Sequence, residues 1–122
     1  MAEKRYAFKI LMLKREEELA RKFLFTRYSR AVSAGGVELK NYEEIYSGFI
    51  TEGENMQLMY VLEEIYRIFN VSHPKDYAAR SLSLSDIVAI SVCGEEDVCP
   101  TEYTCYYVDA FGFQKLEEVF FS

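Results

Sequence analysis

Two apolar runs that alternate with polar positions, Ile87 to Val92 and Tyr106 to Phe111, flank a polar, cysteine-containing loop. That arrangement is what a β-hairpin requires. Earlier, Arg5 to Leu13 (RYAFKILML) sets Tyr6, Phe8, Ile10 and Met12 against Ala7, Lys9, Leu11 and Leu13. The segment begins with strand periodicity and ends apolar on both faces, as in a strand that becomes covered. Glu16, Glu17 and Glu18 then place negative charge where a helix would begin, complementing the positive end of its dipole.

From Glu17 to Val32, Leu19, Phe23, Leu24, Tyr28 and Ala31 recur at helical spacing, while Arg21, Lys22, Arg27 and Arg30 lie between them. The pattern predicts one amphipathic helix with a basic outer face, stopped by Gly35 and Gly36. Val37 to Leu39 reads as a short strand. Tyr42 to Ile50 is ambiguous, with Tyr42, Ile45, Tyr46 and Phe49 at helical spacing in a β-rich composition. The following TEGEN is a turn; its glycine spacing resembles that of a phosphate loop, but Glu54 stands where such a loop needs Lys.

Glu54 to Phe69 carries the clearest helical pattern. Leu58, Leu62, Ile65 and Phe69 form a stripe flanked by Val61 and Ile68, with Glu63, Glu64 and Arg67 opposite. A sheet is its expected partner, and Val71-Ser72-His73-Pro74 ends it near Asn70. Asp76 to Ser85 is turn-prone, with Ser83, Ser85 and Asp86 able to bond nearby backbone. Phe111-Gly112-Phe113 is a tight bend, and Leu116 to Phe121 is a further strand or a docking turn. The expected fold is α+β: a mainly antiparallel sheet with a central β-hairpin, packed on one face by two amphipathic helices.

Composition adds limits. The 122 residues, half of them apolar, suit a single domain spanning 1–122. Ten Tyr and nine Phe supply core and sheet side chains, and any at the surface suit recognition. The net charge of −6 disfavours direct binding to nucleic acid, which needs an excess of Lys and Arg, and instead suits a partner with a basic surface. With neither a signal-peptide pattern nor an apolar run approaching the ~18 residues of a spanning helix, a cytoplasmic location without membrane contact is expected. Cys93, Cys99 and Cys105 are then reduced thiols.

The chemical inventory is sparse. His73 is the sole histidine and has no partner motif for general-base catalysis. The cysteines are each separated by five residues, outside the spacing that clamps a structural zinc, and no cofactor is expected. Asp86 and Asp109, at the start of one strand and the end of its partner, belong at one end of the sheet with Arg80 and Ser85 nearby. A carboxylate pair can perform acid/base work or hold a metal. The simpler reading has Asp86 cap the turn after Ser85 and Arg80 pair with one carboxylate to fix the loop.

These residues also carry a family resemblance. Phe69-Asn70, His73-Pro74, Asp76-Tyr77, Arg80-Ser81-Leu82-Ser83, Ser85-Asp86-Ile87-Val88, Tyr107-Val108-Asp109 and Phe111-Gly112-Phe113 together resemble the YodL-like domain. Asn41-Tyr42 and Tyr46-Ser47-Gly48 extend the likeness, while Ala79 replaces a frequent Gly and Ala110 a usual Ser. The resemblance implies a protein of plasmids, conjugative elements or phages, without an established enzymatic activity. By analogy with small acidic inhibitors of host defence, it implies an antirestriction or anti-CRISPR role. The leading expectation is a non-enzymatic inhibitor that competes for the basic channel of a nucleic-acid-handling protein, such as a CRISPR effector nuclease. Glu95, Glu96, Asp97 and Glu102 would form its leading edge. The rivals are an accessory or scaffolding module for plasmid transfer or replication, and a metal-dependent hydrolase using Asp86 and Asp109.

Overall fold

The strand β1 (Glu3–Leu13) carries buried side chains on both faces, and the rest of the chain is arranged to cover them. A computed structural model describes residues 3–53, 57–93 and 102–120. After β1 come α1 (Glu17–Phe23), α2 (Tyr28–Ser33), a single 3-10 turn at Leu39–Asn41 and β2 (Tyr42–Gly53). The chain continues through α3 (Leu58–Val71), β3 (Ile87–Val92), β4 (Glu102–Asp109) and β5 (Gly112–Phe120). The five strands form one sheet in the order β2-β1-β3-β4-β5, with every neighbouring pair antiparallel. The fold is α+β.

On one face, Tyr6, Phe8, Ile10 and Met12 join Val88, Ile90, Tyr106 and Val108. Onto them packs α3 through Val61, Leu62, Ile65 and Phe69, most of the stripe expected from the sequence. Full burial of each such side chain is worth about 1.5–3 kcal/mol, which anchors the helix on the sheet. Phe69 is the hub, meeting Tyr77, Tyr46 and Phe8 edge-on at centroid distances of 4.8, 5.2 and 5.8 Å.

The opposite face holds Ala7, Leu11, Leu13, Ile87, Ala89, Cys105 and Tyr107, covered by Phe23 of α1 and Ala31 of α2. The helices therefore divide between the two faces, correcting the expectation that both pack on one. The cause lies in β1, whose two apolar pleats cannot both be buried from a single side.

Three local expectations also change. The helix predicted over 17–32 is two short helices, separated by an extended crossing with Phe25 at φ +53. Gly35 and Gly36 do follow the helical segment, and at φ +96 Gly36 donates its amide to the Ala31 carbonyl at 2.9 Å. Leu39–Asn41 forms the 3-10 turn where Val37 to Leu39 read as a strand. The ambiguous Tyr42 to Ile50 segment is strand, because all of it but Ile45 pairs with β1; a register shift opposite Ile10/Leu11 skips Ile45, which packs against the core cluster that α3 joins. Residues 51–53 of the predicted turn remain in β2, while its last two, 54 and 55, lie outside the described residues. Among the described residues no helix is long and apolar enough to cross a membrane.

β3 pairs with β4 from Ile87 opposite Tyr107 to Ile90 opposite Thr104. The two strands are antiparallel neighbours, while the loop of the expected hairpin lies outside the described residues. The terminal segment is a strand, β5, joined to β4 through Ala110 and Phe111. That turn requires Gly112 at φ +94, a left-handed conformation that a side chain disfavours.

Candidate functional site

The loop from α3 to β3 first folds onto the aromatic cluster. The Tyr77 amide donates to the Pro74 carbonyl at 3.0 Å, and its hydroxyl donates to the Arg80 carbonyl at 2.5 Å. His73 meets the Tyr77 ring at 5.2 Å and lies 3.2 Å, Nε2 to Oγ, from Ser81. Leu82 is buried, its amide directed to the Phe69 carbonyl at 3.3 Å. The loop is thus fixed to the end of α3 before the motif's charged residues appear.

Asp86 then sits fully buried at the mouth of β3. Arg80 grips it through Nη1 to Oδ2 and Nη2 to Oδ1, each at 2.7 Å, and the Ser83 amide donates to Oδ2 at 2.7 Å. Burial pushes the carboxyl's pKa upward, while Arg80 and the Ser83 amide oppose that shift. The bond to Asp86 in turn raises Arg80 above its ordinary value. Two parallel charge-assisted bonds hold the guanidinium in one plane.

Ser85 and Asp109 face a different task. Ser85 has φ +82, and its amide donates to the Val108 carbonyl at 3.0 Å while the Val108 amide donates to the Asp86 carbonyl at 2.8 Å. The Ser85 Oγ accepts the Phe25 amide at 3.0 Å, and Asp109 Oδ1 accepts the Tyr28 amide at 3.0 Å. Tyr107 donates its hydroxyl to the Thr26 carbonyl, and Tyr42 donates to the Ser85 carbonyl at 2.8 Å. The Phe25 ring lies 5.2 Å from the Arg80 guanidinium carbon. The Phe25 and Tyr28 amides and the Thr26 carbonyl are therefore occupied by side chains of Ser85, just ahead of β3, and of Asp109 and Tyr107 on β4. This network stabilises the break between α1 and α2 against a continuous helix.

The phenols of this network, and the buried thiol on the same sheet face, keep their protons at neutral pH. Burial, then the charges of Asp109 and Asp86, push Tyr107 up to about 12. Burial, with Tyr107 and Asp86, raises Tyr42 well above the usual phenol value. Burial alone pushes Cys105 up to about 11.

Arg80, Ser85, Asp86 and Asp109 thus converge at one end of the sheet. Phe25, Thr26, Tyr28 and Tyr42 belong to the same network and were not singled out as site residues; separated from the motif in sequence, they contribute mainly backbone groups. Glu95, Glu96 and Asp97 lie outside the described residues, as does Cys99. Glu102 opens β4 opposite Phe120. Clefts flank the network: one of about 570 Å³ is bordered by Leu24, Phe25, Glu43 and Arg80, and one of about 260 Å³ by Glu63, Tyr66, Asp109 and Phe113.

Residues 7–120 match the YodL-like domain, nearly the whole chain. The chain belongs to the YodL-like domain family. No match is found among curated proteins or solved structures. The YodL-like motif is consequently read through its geometry: its arginine, serine and two aspartates join the β3–β4 end of the sheet to the crossing between two helices.

Proposed function

We propose that this YodL-like chain is a non-enzymatic protein of a mobile genetic element that binds and inhibits a host nucleic-acid-handling defence protein, with a CRISPR effector nuclease as the specific target class. One observation carries the non-enzymatic part: Asp86 is fully buried and its carboxylate is occupied by Arg80 and the Ser83 amide. A catalytic carboxylate must reach a substrate proton or a metal, and this one is enclosed. Asp109 is bonded to Tyr28, which makes a shared metal-dependent hydrolase site the weaker reading.

The net charge of −6 supports a partner with a basic surface, and a channel built for DNA or guide RNA is such a surface. Direct nucleic-acid binding is disfavoured by the same charge. The protein would act in the cytoplasm, where those nucleases work. The test is DNA cleavage by a panel of effector nucleases with and without the chain. Inhibition with complex formation supports the reading; neither binding nor inhibition across the panel contradicts it. Recovery of transfer or replication proteins by pull-down from a plasmid-bearing host, without nuclease inhibition, would favour the scaffolding alternative.

A further inference from the structure

The Arg80 fork is only partly used. Nη1 donates to Asp86 Oδ2 at 2.7 Å and to the Ser81 carbonyl at 3.0 Å, and Nη2 donates to Asp86 Oδ1 at 2.7 Å. Asp86 thus takes the end of the fork. The Nε–H and the second Nη2 hydrogen lie side by side along the other edge of the planar group, and neither is bonded among the described residues.

Arg80 borders the cleft of about 570 Å³, a size within the range of small-ligand sites. Leu24, Phe25 and Ile45 give that cleft apolar walls, and the Phe25 ring lies 5.2 Å from the guanidinium carbon. The buried Asp86 holds the guanidinium from one side, so the unused edge is oriented before any ligand arrives. Lys14 and Arg15 stand at the rim, and neither forms an ion pair among the described residues. Glu16, Glu17 and Glu43 share the rim; all three are exposed, where water and salt screen them.

We propose that this cleft binds a small monocarboxylate with an apolar body, its two oxygens on the Nε and Nη2 edge of Arg80 and its body against Leu24, Phe25 and Ile45. Two parallel N–H donors match the two oxygens of a carboxylate. Asp86 already balances the charge of Arg80, and the rim glutamates oppose further negative charge, so a singly charged group fits where a more highly charged phosphate does not. Lys14 and Arg15 favour the anion over its neutral amide. This site goes beyond the inhibitor reading and does not rest on it.

The test is an NMR titration of the intact chain with phenylbutyrate, alongside its neutral amide, phenylbutyramide. The carboxylate is expected to produce saturable shifts at the Arg80 Nε–H and at the Leu24 and Phe25 amides. The neutral amide is expected to leave the Arg80 resonance in place. Ala20→Trp fills the cleft from α1 and leaves the pair of Arg80 and Asp86 in place, so it should abolish binding. Arg15→Ala should weaken binding several-fold, and in both variants resonances elsewhere should show an intact fold. Absence of saturable shifts, equal binding of the neutral amide, or unchanged binding by Ala20→Trp overturns the proposal. Tighter binding of inorganic phosphate at the same resonances overturns the choice of a carboxylate. Tighter binding of the tripeptide N-acetyl-Ala-Ala-Phe would move the carboxylate to the chain end of a protein partner and overturn the small-ligand reading. None of these readouts depends on nuclease inhibition, so failure of either reading leaves the other standing.

Discussion

Arg80 and Asp86 are joined by two parallel bonds of 2.7 Å, with the carboxylate fully buried and the arginine side chain 36% exposed. The pair spans six positions and closes the loop that delivers β3 to the sheet. Its partial exposure lets Arg80 reach Phe25 as well, tying the loop to the crossing between the helices.

Arg80→Ala leaves a carboxylate buried beside a lost partner. The expected cost is about 3 kcal/mol, at the low end for a broken buried pair because Arg80 itself is partly solvated. Urea denaturation measures it. Asp86→Asn should cost less than Arg80→Ala, and the double variant should cost less than the sum. Simple additivity would show that the two residues act separately.

Tyr107→Phe and Ser85→Ala each remove a bond to the crossing, and each should destabilise the chain by about 1 kcal/mol. Amide exchange at Phe25 and Tyr28 should accelerate more than exchange in α3. Ser85→Gly separates two effects at φ +82: it loses the bond but relieves the conformation, so its stability should lie above that of Ser85→Ala. Equal stability of the two variants would mean that the positive φ costs nothing.

Gly112→Ala meets no atom within 4 Å, so its cost is conformational. At φ +94 the expected loss is about 1 kcal/mol, read from the denaturation midpoint with an unchanged slope. A neutral substitution would indicate that the turn readily adopts another conformation.

Stability should fall in alkali. Cys105 and Tyr107 have folded-state values near 11 and 12, above their ordinary 9.0 and 10.0, and Tyr42 is raised further. The unfolded chain therefore loses these protons first. Their contribution is complete below the ordinary values and disappears as pH rises through the folded values. Denaturation midpoints should be insensitive to these groups below about pH 8 and decline above pH 9. Tyr107→Phe should reduce the decline.

Much of the fold was legible because its signals were local. β1, β3 and β4 announced themselves by alternation, and α3 by a stripe that the sheet buries. The break at Phe25 was not legible: Leu19, Phe23, Tyr28 and Ala31 keep helical spacing, while the bonds that interrupt the helix come from Ser85, Tyr107 and Asp109, remote in sequence. Likewise, the sorting of helices to two faces depends on β1 becoming an interior strand, flanked by β2 and β3. Arg80, Asp86 and Asp109 could be gathered from strand ends. Tyr42 stood within the family likeness, but its contact could not be read there, because a β2 hydroxyl reaching the Ser85 carbonyl has no local sequence signal.

The central claim is that the chain acts by binding, with its motif carboxylates engaged in holding the fold. Titration of an inhibited effector nuclease with increasing amounts of the chain tests it most directly. The account predicts loss of DNA cleavage that saturates at a fixed molar ratio and does not deepen with longer incubation. One chain inactivating many nuclease molecules, progressively with time, would contradict it.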